Sequence, residues 1–250
     1  MERENRAARA AIVGVPPLSV IRQLEAEGAE IIDLDMPLPG VSLPKMASCL
    51  PEVYCAILRT VAANAVALRP QRIFIDVGRG KCDGATHVAT ILRHVLPASE
   101  VIAVENHDSE PFSTPRCLTK MPLLDKMQAI TASVLSSAAH PSFAACRPTA
   151  GFWGVPPRDF SLLKLFPDTT HVFGWARCME NKTPDNSMLE EFFDPEIPTV
   201  FFTQSFCAKS ALARHLAGKH PCALLVDSDV SASNSGRAKV QAFLELNGVR

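Results

Sequence analysis

Short runs of consecutive apolar residues alternate along this chain with longer stretches whose apolar positions recur every three or four residues. Runs over 10–15, 29–34, 72–77 and 101–104 are of the first kind. The nearly unbroken apolar run over 72–77 suits a strand buried on both faces of a parallel sheet. Between these runs, 18–27, 51–68 and 85–95 carry helical spacing, with Gly28 placed to end the first and many alanines in the second. One further helix is expected over 123–137, between polar or proline-containing loops. The alternation then returns, with strands over 151–155, 170–175, 199–203 and 223–226 and helices over 160–165, 208–217 and 236–246. Repeated strand–helix–strand order makes a parallel sheet the natural outcome. The pattern predicts an α/β fold of two pseudo-symmetric Rossmann-like lobes, parallel sheets flanked by helices. The N-terminal lobe spans 1–122, a helical linker 123–150 and the C-terminal lobe 151–250.

The two halves share landmarks. Gly14-Val-Pro-Pro17 opens the first and Gly154-Val-Pro-Pro157 the second. In each, a later strand-like run ends at a cysteine, Cys82 or Cys207, and a helix-like segment closing on Arg93-His94 or Arg214-His215 follows. The offsets differ between halves, as expected of an old and unequal duplication. Ligands of open α/β sheets gather beyond the carboxyl ends of the strands, so two cysteines there face a common cleft. A thiol at a helix N-terminus is favoured as thiolate, which suits either a nucleophile or a metal ligand. The glycine-rich turn over 78–84 matches neither the Walker spacing nor the dinucleotide fingerprint. The Ser-rich stretch before Arg237 suits a capped, solvated turn better than an anion-binding rim. Among seven histidines, His107, just past the strand over 101–104, is the candidate for proton transfer.

Composition narrows the classes. With 47% hydrophobic and 20% charged residues the 250-residue chain is expected to fold, and a net charge of −1 without a basic stripe argues against nucleic acid. The charged start lacks the apolar core of a signal peptide, and no run of about 18 apolar residues exists to span a membrane. A cytoplasmic location is expected. In a reducing compartment the eight cysteines are not structural disulfides. Cys117, Cys146 and Cys222 are expected to pack in the core, as are Trp153 and Trp175. No Cys-x-x-Cys pair occurs, which weakens zinc-ribbon and thioredoxin readings.

Several segments, in order, resemble a known family. Ile12-Val-Gly-Val-Pro-Pro17 with Leu24-Glu-Ala-Glu-Gly28, Ser48-Cys49 followed by Cys55, Lys81-Cys82-Asp83, Ser205-Phe206-Cys207 and Gly236-Arg-Ala-Lys-Val-Gln-Ala-Phe-Leu-Glu245 carry the likeness. Together they are similar to the D-component of 2-hydroxyacyl-CoA dehydratases, a family that includes benzoyl-CoA reductase subunits and double-cubane-cluster proteins. The chain resembles a shortened member, with Ala208-Lys209 where the family has Asp-Pro. The resemblance implies a [4Fe–4S] cluster held by Cys49, Cys82 and Cys207, with Cys55 a substitute for Cys49, and one iron open to substrate. It further implies single-electron reduction, as a subunit of a low-potential reductase or dehydratase of anaerobic metabolism. The implied partners are a homologous subunit or second copy and an ATP-dependent activator or ferredoxin-like electron donor. Two other readings compete. One is a cofactor-independent racemase or isomerase using Cys82 and Cys207 as opposed acid and base. The other is a non-catalytic metal-binding or scaffold protein.

Overall fold

The structure, a computed structural model, describes residues 9–41, 49–109, 116–139 and 143–249. Strands β1 (Arg9–Val13), β2 (Glu30–Asp33), β3 (Arg72–Asp76) and β4 (Glu100–Val104) form one all-parallel sheet in the order β2-β1-β3-β4. Strands β5 (Gly151–Gly154), β6 (His171–Phe173), β7 (Thr199–Gln204) and β8 (Ala223–Ser228) form a second in the order β6-β5-β7-β8. The two orders are the same topology. In each, the chain first steps to one side of its opening strand and then crosses to the other, which creates a switch point between β1 and β3 and between β5 and β7.

Eight α-helices are described: α1 (Leu18–Ala26), α2 (Ala56–Leu68), α3 (Asp83–Val95), α4 (Leu123–Ala132), α5 (Trp175–Asn181), α6 (Ser187–Glu191), α7 (Lys209–Lys219) and α8 (Asn234–Leu246). Side chains alternate across each sheet, so successive residues enter different cores. Ala10, Ile12 and Phe74 join Phe152, Val200 and Phe202 in one core shared by both lobes and completed by Met127 and Ile130 of α4. The opposite face of the first sheet, through Ala11, Ile73 and Ile75, packs on α2 and α3. Its counterpart in the second sheet buries Trp153, Phe173 and Phe201 against α7. Burial on both faces is what made the central strands β1, β3, β5 and β7 visible as apolar runs, while the edge strands β2, β4 and β8 are partly exposed. None of the described helices is long and apolar enough to cross a membrane.

Several elements differ from the pattern-based expectation. The helix expected from residue 51 begins at Ala56, with Cys55 as its N-cap. The bends before it carry Tyr54 toward α3, where its hydroxyl lies 3.2 Å from where a Cβ on Gly84 would sit. The segment over 160–165 is a 3₁₀-helix, and the expected 123–137 helix tightens to 3₁₀ geometry after Ala132. Helix α5 lies where a loop was expected. It starts directly after Gly174 (φ 73°) ends the strand, and Lys182 in the left-handed region (φ 61°) closes it. All but one of its residues are buried, so no amphipathic periodicity marks it. Residues 42–48, which precede Cys49, lie outside the described residues.

Candidate functional site

A cavity of about 110 Å³ lies between the lobes, lined by residues from the ends of β1, β3, β5 and β7 and the segments that follow them. These are the switch points of both sheets, where open parallel sheets take their ligands. Gly14 and Lys81 line it from one lobe and Pro156, Gln204 and Lys209 from the other. Three of the eight cysteines line it as well: Cys55, Cys82 and Cys207.

Each of the three stands at the start of a helix. Cys55 is the N-cap of α2 and Cys82 the N-cap of α3, each helix 13 residues long. Cys207 lies two residues before α7. Unsatisfied amides in a helix's first turn favour negative charge, a setting that suits anionic ligands. The Cys55 sulfur accepts from the amides of Leu58 and Ile57, and the Cys207 sulfur from that of Lys209. The turn before Cys207 is strained: Phe206, a bulky and exposed residue, has φ 62°. Gly84 performs a related service for Cys82. A Cβ there would lie 2.8 Å from Leu58 Cδ1 and 3.4 Å from Cys82 Sγ, so its absence lets α2 and α3 close over the thiol.

Cys55 and Cys207 interact directly across the lobes. Their shared hydrogen bond is the largest influence on both, pulling the Cys55 thiol down to about 7 and pushing Cys207 up. Burial opposes ionisation of both, and the Cys82 charge adds to the upward push on Cys207. The three sulfurs thus form one electrostatic group. Among the described residues, no three His, Cys, Asp or Glu side chains converge tightly enough for a single metal ion.

Positive charge completes the wall. Lys81 Nζ lies 4.0 Å and Lys209 Nζ 4.7 Å from the ring centre of Trp175. Lys81 ion-pairs with Asp76 at 3.1 Å, yet among the described residues neither Lys81 Nζ nor Asp76 Oδ2 has a hydrogen bond of good geometry. Asp76 Oδ1 is instead held by the amides of Gly78 at 3.0 Å and Asn106 at 3.3 Å. Burial lowers the Lys81 ammonium pKa, against the pull of Asp76. Lys209 donates to Glu190 and to the Gly80 carbonyl. Gln204 Oε1, buried and without a hydrogen-bond partner among the described residues, belongs to a residue that also lines the cavity.

No family model matches this chain, and no curated protein matches it.

The sequence-derived candidates separate in space. Cys82 and Cys207 are brought together. Cys49 packs at the edge of the N-lobe core and does not line the cavity; burial raises its pKa. Cys55, the substitute for it, lines the cavity beside Cys82 and Cys207. His107 is also outside: its side chain is 63% exposed, and it pairs with Glu105 at 3.2 Å. Cys117 and Cys178 are buried, and Cys178 is pushed up to about 12, first by burial. Cys222 donates to Asn247 at 2.9 Å on the surface. Trp153 and Trp175 both pack in the core as expected, and Trp175 also forms a wall of the cavity. Lys81, Asp76 and Lys209 were not singled out; Lys81 and Lys209 sit within two residues of the paired cysteines, which is the signal that pointed to them.

Asp33 and Asp35, at the end of β2, are a further consequence of burial. Burial pushes the Asp33 carboxyl well above the usual range, and the Asp35 charge adds to this. A carboxyl raised above its unfolded value of about 3.9 stabilises the fold below that pH. That contribution is lost as pH rises through the folded pKa. The stability of Asp33→Asn relative to the parent is therefore expected to be more favourable at about pH 8 than at about pH 4. Urea titrations at the two pH values check this, and identical pH dependence of both proteins would contradict it.

Proposed function

We propose that this chain is an iron–sulfur protein whose interlobe cavity holds a [4Fe–4S] cluster on Cys55, Cys82 and Cys207. On this reading it serves as a subunit of a low-potential reductase or a 2-hydroxyacyl-CoA dehydratase-like enzyme. The observation that carries the reading is the convergence of three cysteines, from both lobes and three helix N-termini, on one cavity. When bound, such a cluster supplies single electrons and, with three thiolates for four irons, one coordination site for substrate. The chain's own residues do the rest. Amides at the starts of α2 and α7 favour the thiolate form of Cys55 and Cys207 and, by hydrogen bonding to sulfur, tune the potential. Lys81 and Lys209 offset the negative charge of the group, and Asp76 holds Lys81 toward it. Trp175, Val155 and Met179 supply an apolar wall against water. Electrons would come from an ATP-dependent activator or a ferredoxin-like donor, and a homologous subunit or second copy would complete the enzyme.

The test is anaerobic purification or reconstitution, followed by iron, sulfide and visible absorption measurements. Brown protein with about four irons per chain is expected. Colourless, iron-free protein after reconstitution would sink the proposal.

A second reading has its own support. Cys82 and Cys207 follow β3 and β7, which hold equivalent places in the two sheets. That is the arrangement a two-cysteine racemase or isomerase needs. Cys55 argues against it, because Cys207 is engaged by that thiol, which an acid–base pair does not require. Solvent deuterium appearing at a substrate α-carbon with metal-free protein would favour this reading.

A further inference from the structure

Beside the cysteine cavity lies a groove of about 530 Å³, bounded by the edge strand β2, helix α4 and the 3₁₀ segment over 160–165. Met36 and Arg158 line both spaces, so they form the wall between them. Most of the groove is apolar, through Ile31, Leu38, Leu135 and Phe160. Arg158 is its only cation among the described lining residues.

Arg158 is unusual in its surroundings. Its half-buried guanidinium has one described protein partner, the Thr60 hydroxyl at 2.5 Å, and no described carboxylate pairs with it. Asp33 and Asp35 border the two spaces without engaging it. The other nearby arginine, Arg59, is committed to Asp229. A guanidinium carries five N–H donors in a planar fork that matches a carboxylate, and leaving such a charge partly desolvated and unpaired is costly. The position also breaks the internal symmetry. Arg158 directly follows Gly154-Val-Pro-Pro157, where the first half has Leu18 after Gly14-Val-Pro-Pro17. The second lobe therefore places a charge where the first has an apolar side chain.

We propose that this groove binds a small organic carboxylate, its hydrocarbon body against Ile31, Leu38, Leu135 and Phe160 and its carboxylate on Arg158. The anionic end then stands at the wall of the cysteine cavity. Binding of this kind does not depend on what the three thiols hold, so it is testable on metal-free protein and its failure leaves the cluster proposal standing.

The experiment is calorimetric titration of the purified full chain with sodium hexanoate, hexanamide and sodium acetate. Hexanoate is expected to bind, with hexanamide and acetate each weaker by about tenfold or more. Arg158→Gln should lower hexanoate affinity to that of hexanamide, and Arg158→Lys should fall between, keeping the charge but losing the fork. Should Arg158→Gln fail to fold, the hexanoate–hexanamide comparison on the parent protein decides alone. No hexanoate binding, or equal affinity for hexanoate and hexanamide, would overturn the proposal. So would unchanged affinity in folded Arg158→Gln. Acetate binding as tightly as hexanoate would overturn the role of the apolar groove.

Discussion

Cys55→Ala is expected to abolish iron–sulfur binding, while Cys49→Ala leaves it intact. The two cysteines are close in sequence, and the family resemblance named Cys49 first. Their surroundings differ in ways that decide between them. Cys55 caps α2, accepts hydrogen bonds from the amides of Ile57 and Leu58, and meets Cys207 across the cavity. Cys49 does not line the cavity, and burial raises its pKa. Cluster ligands must be thiolates sharing one site, so the cysteine that lines the cavity and is pulled down to about 7 is the better ligand. Reconstituted anaerobically, Cys55→Ala, Cys82→Ala and Cys207→Ala should each fall from about four irons per chain toward none. Circular dichroism establishes that each variant is folded. Iron retained in Cys55→Ala and lost in Cys49→Ala would reverse the assignment.

Gly154→Ala is expected to be the most damaging single-methyl change to stability. Gly154 ends β5 at φ 145° and pairs with Phe202 of β7. A Cβ there would lie 2.0 Å from the Phe202 carbonyl oxygen, a backbone atom in a fully buried strand. Relief requires the two central strands of the sheet to part. A cost of about 4 kcal/mol or more is expected, a large share of the roughly 5–15 kcal/mol that holds a domain folded. Gly28→Ala is the control. It also has positive φ, at 67°, but nothing lies within 4 Å of the added carbon, so only the backbone cost of about 1–2 kcal/mol applies. Urea midpoints compare them, and similar losses in both would refute the steric argument. The same reasoning explains why the Gly-Val-Pro-Pro motif occurs twice: at Gly14 the chain also leaves its central strand with positive φ, at 78°.

The legible parts of the structure are those in which burial imposes a period or a motif marks a turn. Strands such as 72–76 and 199–204 are buried almost throughout and appear as apolar runs. Helix α3 separates buried Ala85, Val88 and Leu92 from an exposed polar side, and its spacing was equally plain. Helix α5 was invisible because burial on nearly every side erases periodicity. At the site, Cys82 and Cys207 were legible because each ends a strand run. The choice of Cys55 over Cys49 was not, because it turns on where α2 begins and on contact with a residue in the other lobe. Arg158 was hidden for a related reason: its lack of a described carboxylate partner is a property of its neighbours in space.

By itself, then, the sequence determined the alternation of strands and helices, the two-lobed parallel architecture and the pairing of Cys82 with Cys207. These follow from local periodicity and from repeated motifs, which a linear chain displays. Tertiary structure alone decided which third cysteine joins them at the cavity, which lysines face it and where a guanidinium stands without a described carboxylate partner. Those depend on residues brought together across two lobes, and only the packing of one sheet's switch point against the other's creates that proximity.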